Sequence, residues 1–141
     1  MLIEQIKNNF PKLYVTECTN DTIVFEPESD DGHVEYKRTL VDCTETKAKK
    51  YATQMRWRIC ENVKNQCATY FIGIDDDGTI VGLSYQEIID CISRFVAIAD
   101  SIDASIVGIQ IIHVKELLII KIRVKIKKID NNYLVEFGDK F

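Results

Sequence analysis

Residues 84–128, SYQEIIDCISRFVAIADSIDASIVGIQIIHVKELLIIKIRVKIKK, read as one capped helix followed by two long strands, and that succession decides the fold. Ser84 and Glu87 stand directly before an apolar-periodic run, the spacing of a capping box in which each side chain accepts from the other's backbone N–H. The helix so begun is expected from about Tyr85 to Ile102. Ile88, Ile92, Phe95, Ala99 and Ile102 give it one apolar seam, widened by Ile89 and Val96. Two strands follow, about 105–114 and 117–128. In the second, strict alternation sends Ile122, Val124 and Ile126 to one face and Lys121, Arg123, Lys125 and Lys127 to the other.

Working upstream, 79–82 reads as a short strand joined through the Asp75–Gly78 turn (DDDG) to an aromatic and β-branched strand at 67–74. Before these comes a long helix, about Thr46 to Lys64. Ala48, Tyr51, Ala52, Met55, Ile59 and Val63 make its apolar stripe. HVEYKRTLV, from His33 to Val41, alternates as a strand. Residues 1–32 read as an N-terminal extension: a short helix over 1–10 ended by Pro11, a weak strand near 22–25, and the acidic loop EPESDDG at 26–32. Past the Asn131-Asn132 turn, 134–137 reads as a last short strand.

The domain at 33–141 therefore runs strand, helix, strand, strand, helix, strand, strand. That order predicts an α+β two-layer sandwich, a mostly antiparallel sheet with two main helices on one face.

Composition narrows the classes of function. At 141 residues the chain is one domain by length, and an apolar share of 46% supports a real core. A net charge of −4 gives no global reason to bind nucleic acid. Five cysteines without a CxxC pair, and two histidines without ligand spacing, suit neither a disulfide framework nor a zinc site. Reduced thiols in a cytoplasmic protein are expected. MLIEQIKNNF lacks the apolar run of a signal peptide, and no stretch approaches the ~20 residues that span a bilayer.

Nucleotide chemistry lacks its usual machinery. No GxxxxGK[ST] and no GxGxxG after a strand occurs, so neither a P-loop nor a bound cofactor is expected. Asp75, Asp76 and Asp77 fail as a calcium loop, because Ile80 and Gln86 stand where glycine and glutamate would be needed. They suit an acidic hairpin turn. Glu35 and Lys37, near that turn, form either a carboxylate cluster of the kind metal-dependent nucleases use or a solvated charge pair on an exposed strand face.

Two features point to contacts. The Lys121, Arg123, Lys125 and Lys127 stripe requires acidic cross-strand neighbours or an anionic partner such as RNA or the ribosome. Trp57 lies about 180° around its helix from Ala48 at roughly 100° per residue, among Lys50, Thr53, Glu61 and Lys64. It either packs under the N-terminal extension or awaits a protein partner. Gln54, Arg56, Trp57 and Arg58 form the candidate partner patch.

Three segments in order, EPESDDGHVEYKRTL (26–40), ATQMRWRICE (52–61) and YFIGIDDDGTIVGLS (70–84), resemble the N-terminal domain of the GTP-binding-protein-one/two family. That family belongs to the translational GTPases and is similar to elongation factor one-alpha. The matching positions are Glu35, Tyr36 and Lys37; Gln54, Met55, Trp57 and Arg58; and Gly73, Asp75, Gly78, Gly82, Leu83 and Ser84. The tail IIKIRVKIKKIDNNYLVEF resembles the stretch leading into the family's GTPase domain.

The likeness implies a non-enzymatic accessory module without the GTPase domain. Its partners would be translation or mRNA-surveillance components, or a separate GTPase. A rival resemblance, to the divergent Alba-like domain of Schlafen-type proteins, rests on E-x-K followed by IGIDDDGTIVGL. It implies nucleic-acid binding or RNA cleavage, with Glu35 as the candidate acid.

Overall fold

The computed structural model describes residues 2–62 and 64–126. In chain order its elements are α1 (Leu2–Asn9), β1 (Val15–Thr19), β2 (Val34–Lys37), α2 (Glu45–Glu61), β3 (Cys67–Ile72), α3 (Tyr85–Ser101), β4 (Ala104–Val114) and β5 (Leu117–Ile126). They form one five-stranded sheet, ordered β1-β4-β5-β3-β2. The central strands β4, β5 and β3 are antiparallel, whereas each edge strand runs parallel to its neighbour. The expected α+β sandwich is present, with a mixed sheet.

The capping box at Ser84 forms as its spacing predicts: Glu87 N donates to Ser84 Oγ at 3.2 Å and Ser84 N to Glu87 Oε1 at 3.1 Å. Thr44 caps α2 by accepting from Lys47 N. Ile88, Ile92 and Phe95 of α3 and Met55 and Ile59 of α2 are fully buried against Ile120, Ile122 and Val124 of β5. At about 1.5–3 kcal/mol for each such side chain, this seam is the main source of stability.

The N-terminal segment differs from the extension read in the sequence. Leu2 and Ile6 of α1 and Val15 of β1 join the same core as α2 and α3. β1 pairs with β4 from Val15↔Ile109 to Thr19↔His113. Residues 22–25 form no strand, and at 79–82 there is one bridge, Ile74↔Ile80. The edge strand was hidden because VTECT offers one buried apolar residue and pairs more than ninety positions away.

The face of the sheet away from the helices has two unlike halves. Tyr36, Ile74, Ile112, Val114 and Ile119 are buried there, covered by Ile23 and Phe25 from the loop after β1. The other half carries Lys121, Arg123 and Lys125. The tail strand expected at 134–137, and Lys127, lie outside the described residues. No described helix is long and apolar enough to cross a membrane.

Candidate functional site

Two of the motif segments meet at Arg58, and the third joins them through Asp76 O, which accepts from Glu28 N. Arg58 Nε donates to Glu35 Oε1 at 2.9 Å. Nη1 donates to the carbonyls of Asp31 and Gly32, and Nη2 to that of Ser29. Glu35 is 2% exposed and Arg58 3%, so both charges are satisfied by each other and by the acidic loop's backbone. Lys37 Nζ sits 3.4 Å from Glu35 Oε2, donates to Gln54 Oε1 at 2.8 Å and lies over the Tyr51 ring.

Glu28 completes the network. Its Oε2 accepts from Tyr36 N at 2.6 Å, and its backbone N donates to Asp76 O. Burial, with the Glu35 carboxylate nearby, pushes its pKa up to about 7. Its Oε1 stands 3.9 Å from Arg58 Nη2, whereas Glu35 Oε1 lies 2.9 Å from Arg58 Nε, so Glu35 is the guanidinium's nearer partner and protonation is favoured on Glu28. Next to it, the turn is tight. Gly78 has φ +92° and a Cβ there would collide with Phe25 O. Thr79 N donates to Asp77 Oδ1, which closes the acidic hairpin turn. One buried polar atom, the Tyr70 hydroxyl, has no partner among the described residues, and burial raises its pKa well above the usual phenol range.

This network corrects two readings of the sequence. Glu35 with Lys37 is neither a solvated surface pair nor an open carboxylate cluster, because Glu35 is enclosed and ion-paired. Arg58 points inward and holds a loop, so it offers nothing to a partner. The candidate patch is thereby divided: Gln54 is tied to Lys37, Arg56 is exposed toward the groove between α2 and α3, and Trp57 remains 42% exposed beside the Arg58 guanidinium.

The basic stripe has the geometry its alternation predicts. Leu118, Ile120, Ile122 and Val124 turn under the helices, while Lys121, Arg123 and Lys125 face the opposite side at about 7 Å intervals along the strand. Their cross-strand neighbours are all neutral: Phe71 and Gln110 flank Lys121, Thr69 and Gly108 flank Arg123, and Cys67 and Ser105 flank Lys125. Among the described residues no carboxylate lies within ion-pairing distance of any of the three. Arg123 Nη2 reaches Cys67 Sγ at 3.7 Å and Lys121 lies 6.0 Å over the Phe71 ring. Beside the stripe is a depression of about 220 Å³ bounded by Tyr14, Thr16, Val107, Gln110, Lys121 and Arg123. Sequence reasoning missed Tyr14 because β1 itself was not legible, and Gln110 because its place beside Lys121 is set by cross-strand register.

Among the described residues no three His, Cys, Asp or Glu side chains gather as a metal site. All five cysteines are free, with Cys67 and Cys91 buried and Cys60 exposed.

No family model matches the chain. It is 33% identical over 87 residues to GTP-binding protein 2 of Mus musculus and of Homo sapiens, a match covering 62% of this chain and 14% of each relative. It shares a region with those proteins and spans a small part of their length. It is 48% identical over 131 residues to the uncharacterized protein R625 of Acanthamoeba polyphaga mimivirus, covering 93% of this chain and 70% of that relative. On that extent of identity, the chain belongs to the family of mimivirus protein R625.

Proposed function

We propose that the chain is a non-catalytic binding module that holds an anionic component of the translation or mRNA-surveillance machinery, RNA or the ribosome, on its open sheet face. The observation that carries this is the Lys121, Arg123 and Lys125 row with neutral neighbours on both sides. A chain with net charge −4 has many carboxylates to spend, yet none of the described ones neutralises this row. Such a row is stabilised by phosphates that take up its field. The translation context rests on the sequence resemblance to the translational GTPase family, and the region shared with GTP-binding protein 2 supports a GTPase-related setting. A separate GTPase is a second candidate partner, with the exposed Trp57 and Arg56 as its contact.

No catalytic role is assigned. The acid that an RNA-cleaving reading requires, Glu35, is locked to Arg58 and Lys37 behind the acidic loop. The test is titration of the protein with ribosomes and ribosomal RNA at several salt concentrations. Arg123→Glu with Lys125→Glu should abolish binding. If the doubly reversed variant binds as the wild type does, the sheet face is not the site. Cleavage of single-stranded RNA that is lost in Glu35→Ala would overturn the non-catalytic reading.

A further inference from the structure

Tyr14 is the most exposed aromatic side chain among the described residues, at 72%, and it sits at the edge of the basic half-face. Its position is fixed from behind. Tyr14 O accepts from Ile109 N at 2.9 Å, which ties the residue to β4 as β1 begins. A Cβ on Gly108 would stand 3.6 Å from Tyr14 Cδ1, so the ring edge rests where β4 has no side chain. The strand is irregular at the same place, between Ile106 and Gly108. The ring is thus braced by the sheet while most of it meets solvent. Val107, itself 41% exposed, borders the same depression, so the two side chains form one exposed apolar patch there.

What surrounds the ring selects the occupant. Lys121 and Arg123 bound the same depression and supply positive charge without a neutralising carboxylate among the described residues. Gln110 and Thr16 supply amide and hydroxyl groups able to donate and accept. A flat aromatic beside a cationic groove matches a chain of phosphates bearing unpaired bases. A duplex would present phosphates but keep its bases stacked inside, leaving the ring uncovered.

We propose that Tyr14 is a stacking platform for an unpaired base, and that the half-face of Tyr14, Gln110, Lys121 and Arg123 binds single-stranded nucleic acid. The inference rests on the anion-binding reading of the basic row and adds the form of the ligand. Fluorescence anisotropy with a labelled ten-nucleotide oligoadenylate, as RNA and as DNA, tests it alongside an abasic oligomer of equal charge and a duplex.

Tyr14→Ala should weaken binding of the oligoadenylate about tenfold, the scale of one stacked base. Tyr14→Phe should keep it, and binding of the abasic oligomer should be weak and indifferent to either change. Being 72% exposed, Tyr14 can be truncated without unfolding the chain, which circular dichroism would verify. Equal binding by wild type and Tyr14→Ala, or a duplex or abasic oligomer bound as tightly as oligoadenylate, overturns the stacking site. If Arg123→Glu and Lys125→Glu still abolish binding in that case, the anion-binding reading survives. If they too have no effect, both fail.

Discussion

The two halves of the sheet's outer face solve the same problem in opposite ways. Near β2, the face is apolar and roofed: Ile112, Ile119 and Tyr36 lie under Ile23 and Phe25, whose ring packs edge-on against Phe71 at 4.8 Å. Near the start of β4 and the end of β5, where the helices' seam continues beneath, the same face is cationic and bare. The roof is held by Arg58, which reaches from α2 to three loop carbonyls. The residues that look most distinctive in the sequence, the E-Y-K strand, the QMRWR helix and the DDDG turn, therefore build the roof. The lesson is that distinctive motifs here hold architecture, and the surface free to act is the plainer alternating strand beside them.

Breaking the roof should give the largest effect. Arg58→Ala leaves Glu35 buried without its partner and frees the loop, so unfolding free energy measured in urea should fall by about 3–5 kcal/mol. Replacing both Arg58 and Glu35 by methionine should recover a large share of that loss, because it removes both charges together. A smaller loss, about 2 kcal/mol, is expected for Gly78→Ala, from the positive φ and the collision with Phe25 O. Hydrogen exchange should then show faster opening of 23–32 with little change in α3.

The next effect is in pH. Glu28 is held up at about 7 from an ordinary 4.5 by burial and by Glu35. The folded chain binds this proton more tightly than the unfolded one. Its contribution to stability is therefore full below pH 4.5 and is lost as pH rises through about 7. Glu28→Gln removes that dependence, so the variant should gain on the wild type steadily across this window. Thermal melts at half-unit steps would show it, and parallel curves would contradict it. The smallest stability effect belongs to the bare half: Arg123→Glu with Lys125→Glu should shift unfolding by no more than about 0.5 kcal/mol, while binding is lost.

The same contrast explains what the sequence disclosed. α3, β4 and β5 were legible because their signals are local: a capping box three residues wide, a helical seam, and alternation along one strand. α2 was legible from its apolar stripe, whereas its Thr44 cap was not read from the sequence. β1 was not, since its edge pairing to β4 is set by tertiary contact rather than by the pattern of VTECT. The inward turn of Arg58 was equally hidden. Its partner Glu35 lies 23 positions away, and its other acceptors are main-chain carbonyls, which carry no sequence signature. The basic stripe was visible in full, but the neutrality of its neighbours depends on cross-strand register. Tyr14 became a candidate once that register placed it at the stripe's edge.

The central claim, that the bare half-face takes phosphates while the motif network serves as scaffold, is tested most directly by the salt dependence of oligoadenylate binding. Three cations neutralising three phosphates of a single strand predict that log K falls with log salt at a slope of about −2. The slope should flatten toward zero in Arg123→Glu with Lys125→Glu and stay unchanged in Trp57→Ala. A wild-type slope near zero, or an undiminished slope in the charge-reversed protein, would contradict the account.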